Sequence, residues 1–374
     1  MDTDAELMRR ALRRAGTARR TTPPNPWVGC VVVRGGEVVG EGATRPPGGP
    51  HAEIEALRAA GDRTRDATAY TTLEPCSHHG RTPPCTDALL AAGVARVVVA
   101  VEDPDPHVAG QGIAALRRAG VTVEVGTEAD AATRLLAPYL VHRAEGRSFV
   151  VLKTATSIDG RSAARDGSSR WITGPAARAD VHELRADSQA VIVGVGTALA
   201  DLPSLTARDT QEPVGRQPLR VVLDAQGRVP AEGPLFDTSL APTLVVTTAA
   251  APDDVVSSWL AAGAKVQSVS PAPNGVGVDL HSTLELLAGL GVLQALVEGG
   301  AQLTGALLDA GLVDRLITYV APAILGADAR AAFGLAGPAT IADAPRLQLV
   351  DVTRIGDDVR LDYEPPPWLN RAEG

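Results

Sequence analysis

The chain has 374 residues, of which 45% are hydrophobic and 21% charged, and it carries a formal net charge of −9 at pH 7. This composition excludes a disordered chain, and the length predicts two domains because single cores seldom grow so large. The acidic balance argues against a nucleic-acid groove, and no apolar run is long enough to predict a membrane span. Three cysteines form no even disulfide framework and indicate a reducing compartment. We therefore expect a cytoplasmic protein with no nucleic-acid or membrane partner.

Residues 1–146 alternate helix-like and strand-like segments, which predicts an α/β domain of layered helices and a mixed sheet. Gly35-Gly36 between two apolar runs indicates a hairpin. Cys30 in the first run is expected to be a buried strand thiol. In chain order, the predicted elements are a helix over residues 4–19, strands at Trp27–Arg34 and Glu37–Gly42, a helix at His51–Ala60, a strand at Thr68–Thr72, a helix at Pro84–Ala92, a strand at Arg96–Val101, a helix at Gly112–Ala119, a strand at Val121–Val125 and a helix at Glu128–Val141.

The polar segment Arg143–Arg147 separates this block from a second α/β region, which predicts a second domain over residues 147–364. The proline-rich residues 365–374 cannot continue a sheet and are predicted to form a mobile tail. The predicted strands are Phe149–Thr154, Ala190–Val193, Leu219–Leu223, Leu244–Thr247, Lys265–Ser268, Ala295–Glu298 and Arg315–Ala321, followed by a hairpin of Leu347–Thr353 and Asp358–Tyr363. The predicted helices lie near Pro175–Ala186, Asp253–Ala262, Thr283–Leu290 and Gln302–Ala310.

One imidazole and two thiols form the most informative pattern. His51-Ala-Glu53 is followed by Cys76 and, after eight further residues, by Cys85. Three such ligands hold zinc and leave a fourth position for water, as in catalytic sites, whereas structural sites usually have four protein ligands. His-x-Glu followed by Pro-Cys is the signature of zinc-dependent base deaminases, in which the glutamate moves protons, although their second spacing is usually Cys-x-x-Cys. Residues two apart do not share a helix face, so we expect His51 at the very start of its helix.

Other interpretations of these residues remain open. His51 and Glu53 could be surface residues and the cysteines a structural knot, but two cysteines flanked by proline at helix starts favour catalytic zinc. His78 and His79, between the cysteines, could contact substrate or simply be exposed. In the second half, the turns Gly194-Val-Gly196 and Glu298-Gly-Gly-Ala-Gln-Leu-Thr304 follow strands. Their amides could approach a phosphorylated cofactor, although glycine after a strand is ordinarily only a tight turn.

Several motifs in a fixed order resemble one family, the bifunctional riboflavin-biosynthesis enzymes that join a diaminohydroxyphosphoribosylaminopyrimidine deaminase to a 5-amino-6-(5-phosphoribosylamino)uracil reductase. The resemblance covers nearly the whole chain apart from the tail, and the long cysteine loop is its most specific part. The motifs are Pro24-Asn-Pro-Trp-Val-Gly-Cys-Val31, His51-Ala-Glu53, Thr72-Leu-Glu-Pro-Cys-Ser-His-His-Gly-Arg-Thr-Pro-Pro-Cys85, Leu152-Lys-Thr-Ala-Thr-Ser-Ile-Asp-Gly-Arg161, Ser169-Arg-Trp-Ile-Thr173, Leu205-Thr-Ala-Arg208 and Val297-Glu-Gly-Gly300.

The resemblance implies a cytidine-deaminase-like first domain and a dihydrofolate-reductase-like second domain. The first would hydrolyse an amino group from 2,5-diamino-6-(5-phosphoribosylamino)pyrimidin-4(3H)-one. The second would use NADPH to reduce the ribose of 5-amino-6-(5-phosphoribosylamino)uracil to a ribityl chain.

The resemblance also implies roles for residues. The implied zinc ligands are His51, Cys76 and Cys85, with Glu53 as the proton shuttle and Lys153 beside the hydride path. The residues similar to substrate contacts are Asn25, His78, Arg81, Ser169, Arg185, Leu205, Arg208 and Glu298, and Arg185 and Arg208 would form a phosphate clamp. Those similar to nicotinamide-cofactor contacts are Ala155, Trp171, Thr197, Asp201, Gly300, Ala301, Gln302, Leu303, Thr304, Gly305 and Ala306.

This chain departs from the family pattern at three positions. Thr44 stands where the family often has a histidine, Leu202 interrupts a usual pair of acids, and Ala225 replaces a common serine near the cofactor phosphate. Two other hypotheses compete with the biosynthetic enzyme: a nucleic-acid base deaminase with a recruitment domain, and a non-catalytic protein stapled by zinc. We expect the biosynthetic enzyme, a small phosphorylated pyrimidine as its partner, Zn²⁺ and NADPH as cofactors, and a homo-oligomer.

Overall fold

The structure is a computed structural model that describes residues 3–78, 83–212 and 214–365. It divides into two compact units, residues 1–147 and residues 148–374. Apart from Pro365, the predicted mobile tail lies outside the described residues. In the part of the chain that is described, no helix has both the length and the apolar character needed to cross a membrane.

The first unit is built on a five-stranded sheet with helices packed against it, in the strand order β2-β1-β3-β4-β5. Strand β1 is antiparallel to β2 and β3, while β3, β4 and β5 are parallel. Its elements are α1 (Asp4–Gly16), β1 (Gly29–Arg34), β2 (Glu37–Ala43), α2 (Ala52–Ala60), a 3₁₀ turn (Gly61–Thr64), β3 (Thr68–Leu73), α3 (Cys85–Ala91), β4 (Arg96–Val101), α4 (Gln111–Arg118), β5 (Thr122–Val125) and α5 (Ala129–Glu145).

Helix α1 begins at a capping box, in which the Thr3 hydroxyl accepts from the Glu6 amide and the Glu6 carboxylate accepts from the Thr3 amide. The predicted helix over residues 4–19 ends earlier, at Gly16. Helix α2 approaches β2 very closely, since a Cβ on Gly42 would lie 2.3 Å from the Ala52 carbonyl oxygen. Only glycine permits this distance, which sets the first turn of α2 beside the sheet.

The second unit contains a nine-stranded sheet in the order β11-β10-β9-β8-β12-β6-β13-β16-β15. The strands from β11 to β13 in this order are parallel, and β16 and β15 form the antiparallel edge. The strands are β6 (Phe149–Ser157), β7 (Arg161–Ala163), β8 (Ala190–Gly194), β9 (Leu219–Leu223), β10 (Thr243–Thr247), β11 (Lys265–Ser268), β12 (Gln294–Val297), β13 (Arg315–Ala321), β14 (Arg330–Ala331), β15 (Gln348–Ile355) and β16 (Asp358–Glu364). The helices are α6 (Pro175–Ala186), α7 (Val195–Asp201), α8 (Asp253–Ala261), α9 (Leu280–Gly289) and α10 (Ala301–Asp309), with a 3₁₀ turn at Ile341–Asp343.

The predicted α/β class with mixed sheets is confirmed. Two further features differ from the expectations. The glycine turn at Gly194–Gly196 opens the short helix α7, and β7 pairs with β14 in a separate two-stranded sheet that was not predicted.

Arg220 on β9 is fully buried and lies among backbone carbonyl groups. Its guanidinium donates to the carbonyl oxygens of Pro234 and Asp237, the latter at 2.9 Å, and to that of Ala241 at 2.5 Å. These bonds tie β9 to the loop that precedes β10.

Replacing Arg220 with methionine should therefore destabilise the second unit by about 3 kcal/mol, because several buried carbonyls lose their donor. Denaturant unfolding followed by circular dichroism measures this change. Arg354→Met is the matched control, since the Arg354 side chain is 81% exposed and should change stability little. Equal stability of the two variants would contradict this account of Arg220.

Candidate functional site

The three predicted zinc ligands converge in the first unit. His51 caps the N-terminus of α2 with extended backbone angles, as its predicted place at the helix start requires. Its Nδ1 lies 3.6 Å from the Cys76 Sγ and 3.3 Å from the Cys85 Sγ, and the three ligand atoms all lie within 4.8 Å of one another. Ordinary zinc bond lengths place a nitrogen and a sulfur of a tetrahedral site roughly 3.6 Å apart. The geometry therefore fits one zinc ion.

The pKa values of the two thiols are shifted in opposite directions. Hydrogen bonds from the Cys85 thiol, from His51 and from the Cys85 backbone N–H (3.4 Å from Sγ) lower the pKa of Cys76 to about 4, although burial opposes this. The bond to Cys76 and burial raise the pKa of Cys85. One thiolate therefore forms readily, and the second requires a nearby cation. This donor set suits a divalent metal.

Glu53 lies in the first turn of α2 and is only 4% exposed. Burial, followed by the negative charge of Cys76, raises its pKa, while His51 opposes the shift. A carboxylate with a raised pKa is a stronger base than an ordinary one, which favours proton uptake from a nearby water. Its place beside the ligand cluster fits proton transfer.

Glu74 supports the Cys76 loop and was missed in the sequence. Its buried carboxylate accepts backbone N–H groups from Asp103 (3.3 Å), Gly110 (2.9 Å), Gly112 (2.9 Å) and Ile113 (3.1 Å). These bonds fasten the end of β3, two residues before Cys76, to the start of α4. An acid directly before Pro75-Cys76 was the only sequence feature that pointed to this role. Its backbone partners lie far away in the sequence and could not be inferred from it.

Gly112→Ala should weaken zinc binding and deamination. A Cβ on Gly112 would lie 2.0 Å from the Pro75 carbonyl oxygen, so the loop carrying Cys76 must move. We expect at least about a tenfold faster zinc loss to a chelator, consistent with effects of disturbing a ligand's support. Gly16→Ala is the control, because a Cβ there meets nothing within 4 Å. Equal zinc retention in both variants would contradict the prediction.

The predicted pyrimidine and phosphate contacts are only partly described. Asn25 is half-buried and His78 is exposed, while His79 and Arg81 lie outside the described residues. Thr44 is buried, and its hydroxyl accepts the Val28 amide at 3.0 Å. The Thr44 side chain therefore binds the backbone just before β1 in this chain.

In the second unit, three charged side chains meet at the sheet. The Glu298 carboxylate, just after β12, accepts two hydrogen bonds from the Arg185 guanidinium on α6, at 2.6 and 3.0 Å. The Lys153 Nζ on β6 lies 3.8 Å from the same carboxylate. Burial alone raises the pKa of Glu298, but Arg185 and Lys153 together outweigh it and hold the pKa at about 2. Burial lowers the pKa of Lys153, against the attraction of Glu298. All three residues were predicted site residues, but their meeting in one cluster was not predicted; it is called the Glu298 cluster below.

Arg208 belongs to residues 204–208, here called the arginine segment. Its exposed guanidinium donates through Nη1 to the hydroxyls of Ser204 (2.8 Å) and Thr206 (3.2 Å). The Arg185 guanidinium instead donates two hydrogen bonds to the Glu298 carboxylate. It donates a further hydrogen bond to the Thr206 carbonyl at 3.0 Å. Of these two arginines, Arg208 presents its guanidinium to solvent and Arg185 is paired with Glu298, and the phosphate clamp remains a prediction.

Thr197, Asp201 and residues 300–306 among the predicted cofactor contacts follow the neighbouring parallel strands β8 and β12. Helices α7 and α10 begin after β8 and β12, and a Cβ on Gly300 would lie 3.7 Å from the Thr197 Oγ1. Adjacent helix starts of this kind fit a pyrophosphate. Trp171 is 69% exposed, and Arg178 stacks 4.5 Å from its ring centre. Among the other predicted contacts, Ala155, Ser169 and Asp201 are half-buried, whereas Leu205 is buried with a φ of +53°.

The comparisons with known proteins match both halves of the chain. A family model of the cytidine and deoxycytidylate deaminase zinc-binding region matches residues 1–101, and the RibD C-terminal domain model matches residues 148–361. The riboflavin biosynthesis protein RibD of Escherichia coli K12 is 44% identical over 368 residues, covering 96% of this chain and 98% of that protein.

Two solved structures are similar over most of the chain. RibD from Acinetobacter baumannii (form 1) has 40% identity and a TM-score of 0.86, covering 97% of this chain and 99% of that one. The deaminase/reductase of Thermotoga maritima has 31% identity and a TM-score of 0.84, with the same coverage. The matches confirm the predicted enzyme and its Zn²⁺ and NADPH cofactors. The chain therefore belongs to the RibD family, the bifunctional deaminase–reductases of riboflavin biosynthesis.

Proposed function

We propose that this chain deaminates 2,5-diamino-6-(5-phosphoribosylamino)pyrimidin-4(3H)-one and then reduces the ribose of 5-amino-6-(5-phosphoribosylamino)uracil. The Thermotoga maritima relative is named for these two activities. We assign deamination to residues 1–146 and reduction to residues 147–364. The observation that supports the deaminase most strongly is the His51, Cys76 and Cys85 cluster beside buried Glu53.

In the deaminase, His51, Cys76 and Cys85 would hold zinc, which supplies an activated water molecule when bound. Glu53 takes a proton from the attacking water and delivers it to the departing amine. Water adds to the ring carbon and the C–N bond then breaks, so ammonia leaves. The second proton of the water passes to the adjacent ring nitrogen, and a carbonyl remains. Asn25, His78 and Arg81 orient the substrate in this proposal.

In the reductase, NADPH supplies a hydride when bound. The reduction also needs one proton, because the ribose opens at C1′ and its ring oxygen becomes a hydroxyl. Lys153 lies in the Glu298 cluster with a lowered pKa and is suited to donate that proton. Arg208 offers its free donors to the substrate phosphate. Ser169, Arg185, Leu205 and Glu298 complete the substrate site in this proposal.

The proposal is tested by incubating purified protein with the diaminopyrimidine substrate, with and without NADPH. We expect ammonia release in both samples and loss of NADPH absorbance only after deamination. Ammonia without NADPH oxidation would contradict the reductase assignment. NADPH oxidation of the starting pyrimidine without ammonia would contradict the proposed order.

We further propose a cytoplasmic homo-oligomer in which β15 contacts a second copy. This strand lies at the edge of the nine-stranded sheet, and Leu349, Val350 and Val352 on it are 50%, 40% and 55% exposed. Exposed apolar edge strands readily pair with another chain. Light scattering should report an oligomer for the unchanged chain and a smaller species for Val352→Lys. A monomer in both cases would contradict the proposal.

A further inference from the structure

The arginine segment is irregular, and side chains from other elements hold its backbone. The Gln217 amide group binds both the N–H and the carbonyl of Ala207, at 2.9 and 2.8 Å. Leu205 occupies the left-handed region, which a leucine rarely adopts without support from its surroundings. The conformation of this segment therefore depends on the side chains that form hydrogen bonds with its backbone.

His182 is the second such side chain. It lies on α6, three residues before Arg185 and therefore on the same helix face. Its Nδ1 lies 3.1 Å from the Thr206 carbonyl oxygen and 3.3 Å from the Arg208 backbone nitrogen. An unprotonated Nδ1 accepts the Arg208 N–H, whereas an Nδ1–H donates to Thr206, so either tautomer of the ring binds the segment.

The surroundings of His182 favour a neutral ring. Burial, followed by the positive charges of Arg185 and Arg208, lowers its pKa, while the Thr206 carbonyl and Glu298 oppose the shift. A neutral imidazole can accept the Arg208 N–H at physiological pH. The ring then fixes the backbone from which the Arg208 side chain projects.

The position of this backbone matters because it sets where the unoccupied hydrogen-bond donors of the Arg208 guanidinium lie. Its Nη1 is bound to Ser204 and Thr206, and within the described ranges Nε and Nη2 have no hydrogen-bond partner. These atoms form the edge of the fork that matches two phosphate oxygens. A shift of the backbone would displace that edge from a bound phosphate.

We propose that His182 is a positioning residue for phosphate recognition in the reductase, holding the arginine segment so that Arg208 meets the 5′-phosphate of the substrate. This inference rests on the phosphate-binding role proposed for Arg208. His182 contacts Thr206 and the Arg208 backbone and itself touches no reacting atom.

The test compares the deaminated substrate with and without its 5′-phosphate, using the full chain and following NADPH absorbance. For His182→Ala we expect KM for the phosphorylated substrate to rise about tenfold, corresponding to about 1.4 kcal/mol of binding. We expect kcat to change less than about twofold, and KM for the dephosphorylated substrate to stay constant. His182→Asn should restore most of the loss, because its amide can reach the same backbone groups.

Two further variants make the outcomes distinct. His281→Ala is the matched control, since His281 is an exposed histidine on α9 paired with Glu285, and its KM should not change. Arg208→Ala tests the premise. If Arg208→Ala raises KM only for the phosphorylated substrate and His182→Ala does not, His182 has no positioning role and the function of Arg208 stands. If neither variant discriminates between the substrates, both the phosphate role and this inference are wrong.

The same variants also distinguish a positioning role of His182 from a general loss of structure. A merely structural role of His182 would raise KM for both substrates, lower kcat and fail to recover with asparagine, and this result would overturn the proposal. Ammonia release in the deaminase assay should remain constant in every variant.

Discussion

Replacing Glu53 with glutamine is expected to abolish deamination while leaving a folded, zinc-loaded protein. Glutamine has nearly the same shape but can neither accept the proton of the attacking water nor deliver one to the amine. General acid–base catalysis contributes about 10²–10⁴-fold, so ammonia release should fall by at least about a hundredfold. The burial that raises the pKa of Glu53 also disfavours its charge, so a neutral amide should be tolerated at this position.

The control is Glu55→Gln, two residues further along α2. Glu55 pairs with Arg45 and Arg58 at 2.7 and 3.2 Å, and its loss should leave ammonia release unchanged. Metal analysis and the NADPH-dependent reaction should be normal in both variants. Full turnover by Glu53→Gln would show that the shuttle role is wrong, and loss of zinc together with activity would identify Glu53 as a support of the metal site instead.

The zinc site could be predicted because its information is local in sequence. Ligand type and the proline before His51 indicated both the metal and the helix start, and His51 indeed caps α2. Elements with strong end signals were also predicted with their observed bounds. Helix α6 begins at Pro175, which is favourable in a first turn, and β4 (Arg96–Val101) is apolar at every position after Arg96.

Interactions between distant residues could not be predicted in the same way. Glu298 and Arg185 are 113 residues apart, and Glu74 binds amides 29 to 39 residues away. Periodicity reports which face of an element is buried and says nothing about the pairing of polar groups across elements. The same limit explains why the pairing of Arg185 with Glu298 was not predicted.

Short elements were the other source of error. Helix α7 has seven residues and starts directly from Gly194, so its first residues were interpreted as a turn. Strands β7 and β14 contain three and two residues and depend on each other for pairing. Elements this short have too few residues to show a hydrophobic period.

Replacing Lys153 with methionine should stop the reductase and spare the deaminase. Methionine keeps an unbranched apolar stem but removes the proton donor from the Glu298 cluster. We expect kcat for NADPH oxidation to fall by at least about a hundredfold, within the usual range for loss of a general acid. The rate should be measured with purified deaminated substrate, so that the first step does not limit it.

The pH dependence of the unchanged enzyme provides an independent check. The donor must be protonated, so the reductase rate should be constant at low pH and fall as pH rises through the pKa of Lys153. Burial lowers that pKa, and the fall should therefore lie below the ordinary lysine value of about 10.4. Lys153→Arg, which stays protonated, should lose this alkaline fall if it retains any activity.

Lys265 makes the matched control, because Lys153 and Lys265 are the only lysines in the chain. Lys265 is exposed on β11, at the opposite edge of the sheet from β15, and Lys265→Met should leave both activities unchanged. Normal NADPH oxidation by Lys153→Met would show that another group supplies the proton. In that case the lowered pKa of Lys153 would reflect only its burial beside Glu298 and Arg185.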